Sequence, residues 1–183
     1  EKSASGAEVI SQAETERCIK NIVKALQNMS KNNVGALIVL SRGSLPKQVL
    51  QSGVMIDAEI STQMIEGVFF PKAPLHDGAM VVRGTKLYAA GCVLPLTDNQ
   101  EIPKSLGTRH RAGIGISEAT DSVTLIVSEE NGMISAAYQG ELKRGLNQEG
   151  IEEVLSKIQN KTTEDRKLRL WKGWAKNEKK ADS

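Results

Sequence analysis

The sequence predicts a mixed α/β fold in which one central β-sheet is flanked by helices. Apolar segments of strand length alternate with amphipathic helical stretches, and several neighbouring strands are separated only by tight turn signals. A length of 183 residues suits one domain. We therefore expect a domain over residues 34–160, an N-terminal segment and helix over residues 1–33, and a C-terminal tail over residues 161–183.

The elements before the first polar cluster follow from caps and periodicity. Ser11 begins a capping box, and apolar residues at helical spacing behind it predict a helix over residues 12–29. The apolar run 34–40 predicts a strand buried on both faces. Extended pieces near residues 54–60 lead to Ser61, which caps a short helix.

The rest of the chain predicts two strand pairs and two more helices. A Gly-Thr turn joins the first pair and an Asn-Gly turn joins the second. A polar loop after the first pair leads to a helix start, and the last helix has an apolar face. In order, these elements are strands 79–82 and 87–94, loop 97–106, a helix from about residue 108, strands 122–128 and 133–138, and a helix around 151–158.

Composition excludes several classes of protein. The net charge of +2 and an aromatic content of 3% argue against a nucleic-acid partner, because such proteins need basic patches and stacking side chains. Cys18 and Cys92 lack metal-ligand spacing and are expected to be buried, inert thiols. The longest apolar run is far shorter than the roughly 20 residues of a membrane span. We expect a soluble fragment, and the missing initiator Met suggests a piece of a longer protein.

The C-terminal tail is basic and contains both tryptophans. Residues 161–183 include eight Lys and Arg against four Asp and Glu, with Trp171 and Trp174 among them. One interpretation is a solvated terminal segment whose tryptophans cap the core. The alternative is a segment that binds a membrane surface or a partner, because Trp beside basic residues suits such an interface.

Each of the two histidines lies in a polar cluster. The first cluster contains His76, Asp77 and Gly78, directly before a strand. Its carboxylate would lie at an end of the sheet, where it could accept a proton from a hydroxyl or hold a metal. The alternative is an ordinary Asp-Gly turn.

The second cluster, Thr108, Arg109, His110 and Arg111, stands at a helix start. Helix N-terminal amides, arginine forks and a hydroxyl all bind phosphate. The alternative is two surface arginines and a buried histidine. Glu129 and Glu130 form a third candidate group at a strand end, and their alternative is a polar turn. Together these groups predict polyphosphate chemistry with a divalent metal.

Four sequence blocks resemble the signature blocks of diadenylate cyclases in order and spacing. They are Leu-His-Asp-Gly-Ala at 75–79, Cys-Val-Leu-Pro-Leu at 92–96, Gly-Thr-Arg-His-Arg-Ala at 107–112 and Val-Ser-Glu-Glu at 127–130. The resemblance covers about residues 34–158 and is greatest to the membrane-tethered branch of the family. Val93 stands where members often carry an aromatic residue, and Gly113 stands where an alanine is expected.

The resemblance implies that two ATP molecules are condensed into cyclic di-AMP with release of two pyrophosphates. Asp77 would activate the 3′-hydroxyl, by accepting its proton or by holding the metal-bound nucleotide in line. Residues 108–111 would hold the triphosphate, with Arg109, His110 and Arg111 as catalytic groups.

The same resemblance implies the other site residues. His76 and Glu130, the favoured one of the two glutamates, would bind Mn²⁺ or Mg²⁺. Gly78 would allow close approach to the ribose, and Leu94 and its neighbours would line the adenine pocket. The remaining nucleotide contacts would come from Ala79, Gly107, Thr108, Ser128 and Glu129.

The resemblance also implies partners and a location. Because the product is two-fold symmetric and one domain holds one ATP, catalysis would need a homodimer. The parent protein would be tethered at the cytoplasmic face of a bacterial membrane, with regulatory partner proteins there. The main alternative is a nucleotide-binding regulatory module without turnover, and a metal-dependent phosphohydrolase would need more carboxylates than stand near the histidines.

Overall fold

The computed structural model describes residues 12–159. The capping residue predicted at Ser11 and the basic tail predicted from residue 161 lie outside these residues. Within them, the chain forms twelve elements that alternate helices and strands. They are α1 Gln12–Lys31, β1 Ala36–Ser41, α2 Lys47–Ser52, β2 Val54–Glu59, α3 Thr62–Phe69, β3 Ala79–Arg83, β4 Lys86–Cys92, α4 Thr108–Ala119, β5 Val123–Val127, β6 Ile134–Tyr138, β7 Glu141–Lys143 and α5 Gln148–Gln159.

All seven described strands belong to one mixed sheet, which confirms the predicted fold class. Their order is β2-β4-β3-β1-β5-β6-β7. Only β1 and β3 are parallel, with Ile38 opposite Met80, and every other neighbouring pair is antiparallel. This register brings the first residues of β1 and β3 to the same end of the sheet as the last residues of β4 and β5. The polar clusters identified in the sequence meet at that end.

Helices cover both faces of the sheet because the central strands are apolar on both sides. The residues of β1 from Ala36 to Leu40 are all buried, as the uninterrupted apolar run predicts. On one face, α1, α3 and α5 contribute Leu26, Phe69 and Ile151 to the core. On the other, α4 packs its Ile114 against Leu37, Ile126 and their neighbours. Among residues 12–159, none of the helices has the length and apolarity needed to cross a bilayer.

The short elements α2 and β7 were not predicted. The α2 helix has six residues and follows Pro46, which provides no side-chain cap, so neither periodicity nor a polar cap marks it. The β7 strand has three residues. The strand predicted to run to residue 94 ends at Cys92, because the next amide, that of Val93, donates to Ser52 Oγ (2.8 Å) instead of continuing the ladder.

Two glycines allow α4 to approach its neighbours closely. A Cβ at Gly113 would lie 2.9 Å from Ile126 Cδ1, and one at Gly115 would overlap the carbonyl oxygen of Pro95. Gly113, which departs from the family pattern at about 1 kcal/mol of helix propensity, therefore lets α4 lie close to β5. The position of α4 matters because its first turn forms part of the candidate site.

Candidate active site

A cavity of about 690 Å³ opens at the end of the sheet where the polar clusters meet. Its walls are the first turn of α4, the segments before β3 and after β4, and the loop after β5. The lining residues are Leu37, Asp77, Gly78, Cys92, Val93, Leu94, Leu96, Ser105, Leu106, Gly107, Thr108, Arg109, His110, Ala112, Val127, Ser128, Glu129, Glu130, Asn131, Met133 and Arg144.

The start of α4 provides the cationic wall. Gly107 is the N-cap and offers no side chain to the first-turn amides, so these donors remain available to an anion. Arg109 Nη1 lies 3.0 Å from Glu129 Oε2, which orients the guanidinium across the cavity. Gly35 makes room for it, because a Cβ there would overlap the guanidinium group.

His110 is a neutral donor or acceptor within this wall. Its side chain is buried, and burial together with the nearby charges of Arg144 and Arg109 lowers its pKa from 6.5. A neutral imidazole adds no charge of its own but can hydrogen-bond a phosphate oxygen.

Asp77 stands at the mouth of the cavity, and His76 is oriented beside it. His76 Nδ1–H donates to the carbonyl oxygen of Ala73 (2.7 Å). Its Nε2 then faces Asp77 Oδ1 at 3.5 Å. The Asp77 carboxylate is 87% exposed in the single chain, so an approaching group has free access to it.

Gly78 lines the cavity and also packs tightly against β4, whereas Ala79 lies inside the sheet and does not line the cavity. Gly78 has φ +108°, and a Cβ there would lie 2.8 Å from Cys92 O. The close approach that the structure shows at Gly78 is thus to the backbone of β4, and a ribose contact stays a prediction. Ala79 is fully buried in β3 opposite Cys92.

The loop after β5 carries Ser128, Glu129 and Glu130 and is firmly held. Across the loop, the Ser128 amide donates a hydrogen bond to the carbonyl oxygen of Met133 (3.0 Å). Ser30 Oγ donates another to the carbonyl oxygen of Gly132 (2.5 Å). Gly132 has φ +72°, as the Asn-Gly turn predicts. Glu129 is paired with Arg109, whereas Glu130 is exposed and its backbone amide donates to Ser128 Oγ (3.3 Å).

Aliphatic side chains form a further, apolar wall of the cavity. Leu94 and Leu106 are buried, whereas Val93 is 68% exposed at the mouth. Cys92 lies at the base, and burial raises the pKa of its thiol, which agrees with the predicted inert role. The wall suits a flat, weakly polar ring.

Ten of the thirteen predicted site residues line this cavity, and His76, Ala79 and Arg111 do not. Arg111 is two positions beyond Arg109 on α4, a rotation of about 200°, so the two side chains leave the helix on opposite sides. The backbone carbonyl of Arg111 accepts a hydrogen bond from the Thr97 amide (3.0 Å). Arg144 lines the cavity although no sequence signal marked it.

The cavity combines an aliphatic wall, which suits a base, with an arginine-bearing helix N-terminus, which suits phosphate. These features are those of an α/β domain with a nucleotide-binding site. Residues 23–142 match the DAC family, described as DisA bacterial checkpoint controller nucleotide-binding. The chain therefore belongs to the DAC family.

Curated relatives and solved structures agree with this assignment. The chain is 40% identical over 156 residues to the cyclic di-AMP synthase CdaA of Bacillus subtilis, an alignment that covers 85% of this chain and 57% of that protein. It is 42% identical over 144 residues to a diadenylate cyclase of Listeria monocytogenes, covering 79% and 53%. The chain thus spans about half the length of these relatives.

Among solved structures, a cysteine double mutant of DacA from Staphylococcus aureus is 46% identical, with a TM-score of 0.76 over 80% of this chain and 97% of that one. A hypothetical membrane spanning protein from Bacillus cereus is 40% identical, with a TM-score of 0.67 over 70% and 63%.

Proposed function

We propose that this chain is a diadenylate cyclase domain that converts two ATP into cyclic di-AMP and two pyrophosphates. The observation that carries the proposal is that Asp77 and the first turn of α4 line one cavity. A carboxylate that could act on a hydroxyl and donors that could bind phosphates would thereby share one space. The names of the relatives, cyclic di-AMP synthase and diadenylate cyclase, support the same reaction.

The cationic wall would bind the triphosphate and stabilise the leaving pyrophosphate. Thr108 and Arg109 provide a hydroxyl and a guanidinium, and neutral His110 adds a hydrogen bond. Phosphoryl transfer depends mainly on positioning and on neutralising charge on the leaving group. Ser128 would contact phosphate, and Gly107 lets the helix amides approach it. Arg111 stays a predicted catalytic residue, although its side chain does not line the cavity of one chain.

Asp77 would act on the 3′-hydroxyl of the attacking nucleotide. It would accept the proton of that hydroxyl or hold the metal-bound nucleotide in line with the α-phosphorus. Adenine would pack on the aliphatic wall around Leu94, with Gly78, Ala79 and Glu129 as further predicted nucleotide contacts.

The donor set beside Asp77 suits a divalent metal bound largely through the substrate. The hydrogen bond from His76 Nδ1–H to Ala73 leaves the Nε2 lone pair, which faces Asp77 Oδ1 at 3.5 Å, as the ligand atom, the usual arrangement for a metal-binding histidine. Glu130 would be the second protein ligand. Among residues 12–159 there is no group of three or more His, Cys, Asp or Glu placed to hold a metal. Mn²⁺ or Mg²⁺ would therefore complete its shell with phosphate oxygens and water, and would supply charge neutralisation.

We further propose that catalysis requires two copies of the domain. The exposed Asp77 carboxylate and the two-fold symmetry of cyclic di-AMP support a face-to-face homodimer, in which each hydroxyl meets the other copy's α-phosphate. The rate per protomer should fall on dilution as dimer is lost. A rate that stays constant far below any measurable dimer would exclude this arrangement.

The predicted location also remains part of the proposal. The similar protein from Bacillus cereus is named a hypothetical membrane spanning protein. This name supports a parent protein tethered at the cytoplasmic face of the bacterial membrane, with regulatory partners there. Membrane fractionation of the full-length parent tests this.

Incubation with ATP and Mn²⁺, followed by mass spectrometry of the products, tests the reaction. We expect cyclic di-AMP from the wild type and from Asp121→Asn, a matched control at the opposite end of the sheet, but not from Asp77→Asn. ADP or AMP as the product would instead indicate a hydrolase. Unchanged ATP with measurable binding would indicate a regulatory module.

A further inference from the structure

Arg144 lines the cavity although it follows β7, the last described strand of the sheet. The preceding residue, Lys143, pairs with Ala136 of β6. Two residues later, the Leu146 amide donates to the carbonyl of Ile134 (2.9 Å). The chain is thus anchored on both sides of Arg144, which lines the cavity and whose charge acts on His110.

The charge of Arg144 is not neutralised by a carboxylate within residues 12–159. Arg109, the other arginine of the lining, is paired with Glu129 at 3.0 Å. Arg144 lies close enough to His110 to contribute to the lowered pKa of that imidazole. The cavity therefore contains a second guanidinium, next to the α4 cluster and free to bind an anion.

We infer that Arg144 is a substrate-binding residue that contacts the phosphate tail of the nucleotide, beside the start of α4. This inference rests on the proposed function for the identity of the substrate. A triphosphate carries more charge than one partly neutralised arginine can balance, and a guanidinium can bind two phosphate oxygens at once. Its contact would strengthen as charge develops on the departing pyrophosphate.

Binding measurements with AMP and a non-cyclising ATP analogue, such as α,β-methylene-ATP, test this contact. In Arg144→Gln, we expect the analogue to bind about tenfold to hundredfold more weakly, the range for losing a hydrogen bond between charged groups. AMP affinity should change less than about threefold. Arg144→Lys should recover part of the loss, since it restores the charge without the fork.

Arg83→Gln is the matched control. Arg83 ends β3, at the sheet end away from the cavity, and its guanidinium lies 4.1 Å from the ring centroid of Tyr88. This variant should bind both ligands as the wild type does. Equal losses of AMP and analogue affinity in Arg144→Gln, or no loss of either, would overturn the inference.

The two measurements distinguish a failure of the role inferred for Arg144 from a failure of the proposed cyclase reaction. If the wild type makes no cyclic di-AMP yet Arg144→Gln selectively loses the analogue, Arg144 binds phosphate and the proposed reaction is wrong. If the wild type makes cyclic di-AMP and Arg144→Gln binds the analogue normally, the reaction stands and the role of Arg144 is rejected.

Discussion

Arg109 and Glu129 join two separate walls of the cavity, with 3.0 Å between Nη1 and Oε2. One residue lies in the first turn of α4 and the other follows β5. Because the Glu129 side chain is 64% exposed, the ion pair adds at most about 1 kcal/mol of stability. Its effect is orientation, since it directs the guanidinium into the space where phosphate is proposed to bind.

The space that Gly35 leaves for Arg109 gives a first prediction. In Gly35→Ala the new Cβ would overlap the guanidinium, so Arg109 must turn away from Glu129. We expect the cyclase rate to fall about tenfold or more, the effect of misplacing a charged contact. The free energy of unfolding should change by less than about 1 kcal/mol, because a side-chain end can move.

Gly67→Ala is the control for that variant. Gly67 lies in α3, and a Cβ there meets nothing within 4 Å. It should stabilise the domain by about 0.5–1 kcal/mol through helix propensity and leave the rate unchanged. Equal rates in the two variants would contradict the role assigned to Gly35.

The buried His110 predicts a pH-dependent stability. Its pKa is lowered from 6.5 in the folded state, so below pH 6.5 the unfolded chain binds more protons than the folded one. Stability should therefore fall as pH drops through that window. Melting temperatures from pH 7.5 to 5.5 should decline more steeply for the wild type than for His110→Gln. Parallel curves for the two proteins would show that His110 does not titrate this way.

The two close glycines of α4 should respond differently to alanine. Gly115→Ala places a methyl group against the carbonyl oxygen of Pro95, which is backbone, and should cost about 1–3 kcal/mol. Gly113→Ala meets side-chain atoms of Ile126 and Thr124 at 2.9–3.1 Å, which can shift more readily than backbone, and the gain in helix propensity should keep it within about 1 kcal/mol of the wild type. Urea unfolding measures both values, and a reversed order would refute the packing argument.

A hydrogen bond to α4 anchors the loop after β4. Thr97 Oγ1 donates to Glu118 Oε1 at 2.6 Å, and the Thr97 side chain is buried. Thr97→Val should cost about 1–3 kcal/mol, as expected for losing a buried bond to a charged group. A double-mutant cycle with Glu118→Ala, which removes the acceptor, isolates the bond. Thr85→Val, in the β3–β4 turn, is the control and should be near neutral.

Sequence patterns predicted the fold because its main elements are long enough to show their period. The apolar run of β1 and the periodic faces of α1 and α5 are visible without tertiary information. The α2 helix and β7 are shorter than the window over which periodicity can be read. Their positions depend on packing against β4 and on register with β6.

The candidate site was only partly predictable for related reasons. The clusters at Asp77 and Arg109 are marked by local motifs, and the structure brings them together. Arg144 lies in an undistinguished polar stretch, and only the pairing of β6 with β7 carries it to the cavity. Closeness within a sequence motif also does not reveal which way the side chains point, since Arg109 and Arg111 leave α4 on opposite sides.

The cavity is assembled from strand ends, loops and the start of α4, which together span most of the described chain, from Leu37 to Arg144. No part of its wall persists once the sheet opens, so a ligand held there binds the folded state alone. By mass action, occupancy at one hundred times the dissociation constant should add about 2.7 kcal/mol of stability. If the proposed nucleotide is that ligand, the domain without it should be easier to unfold and more accessible to proteolysis.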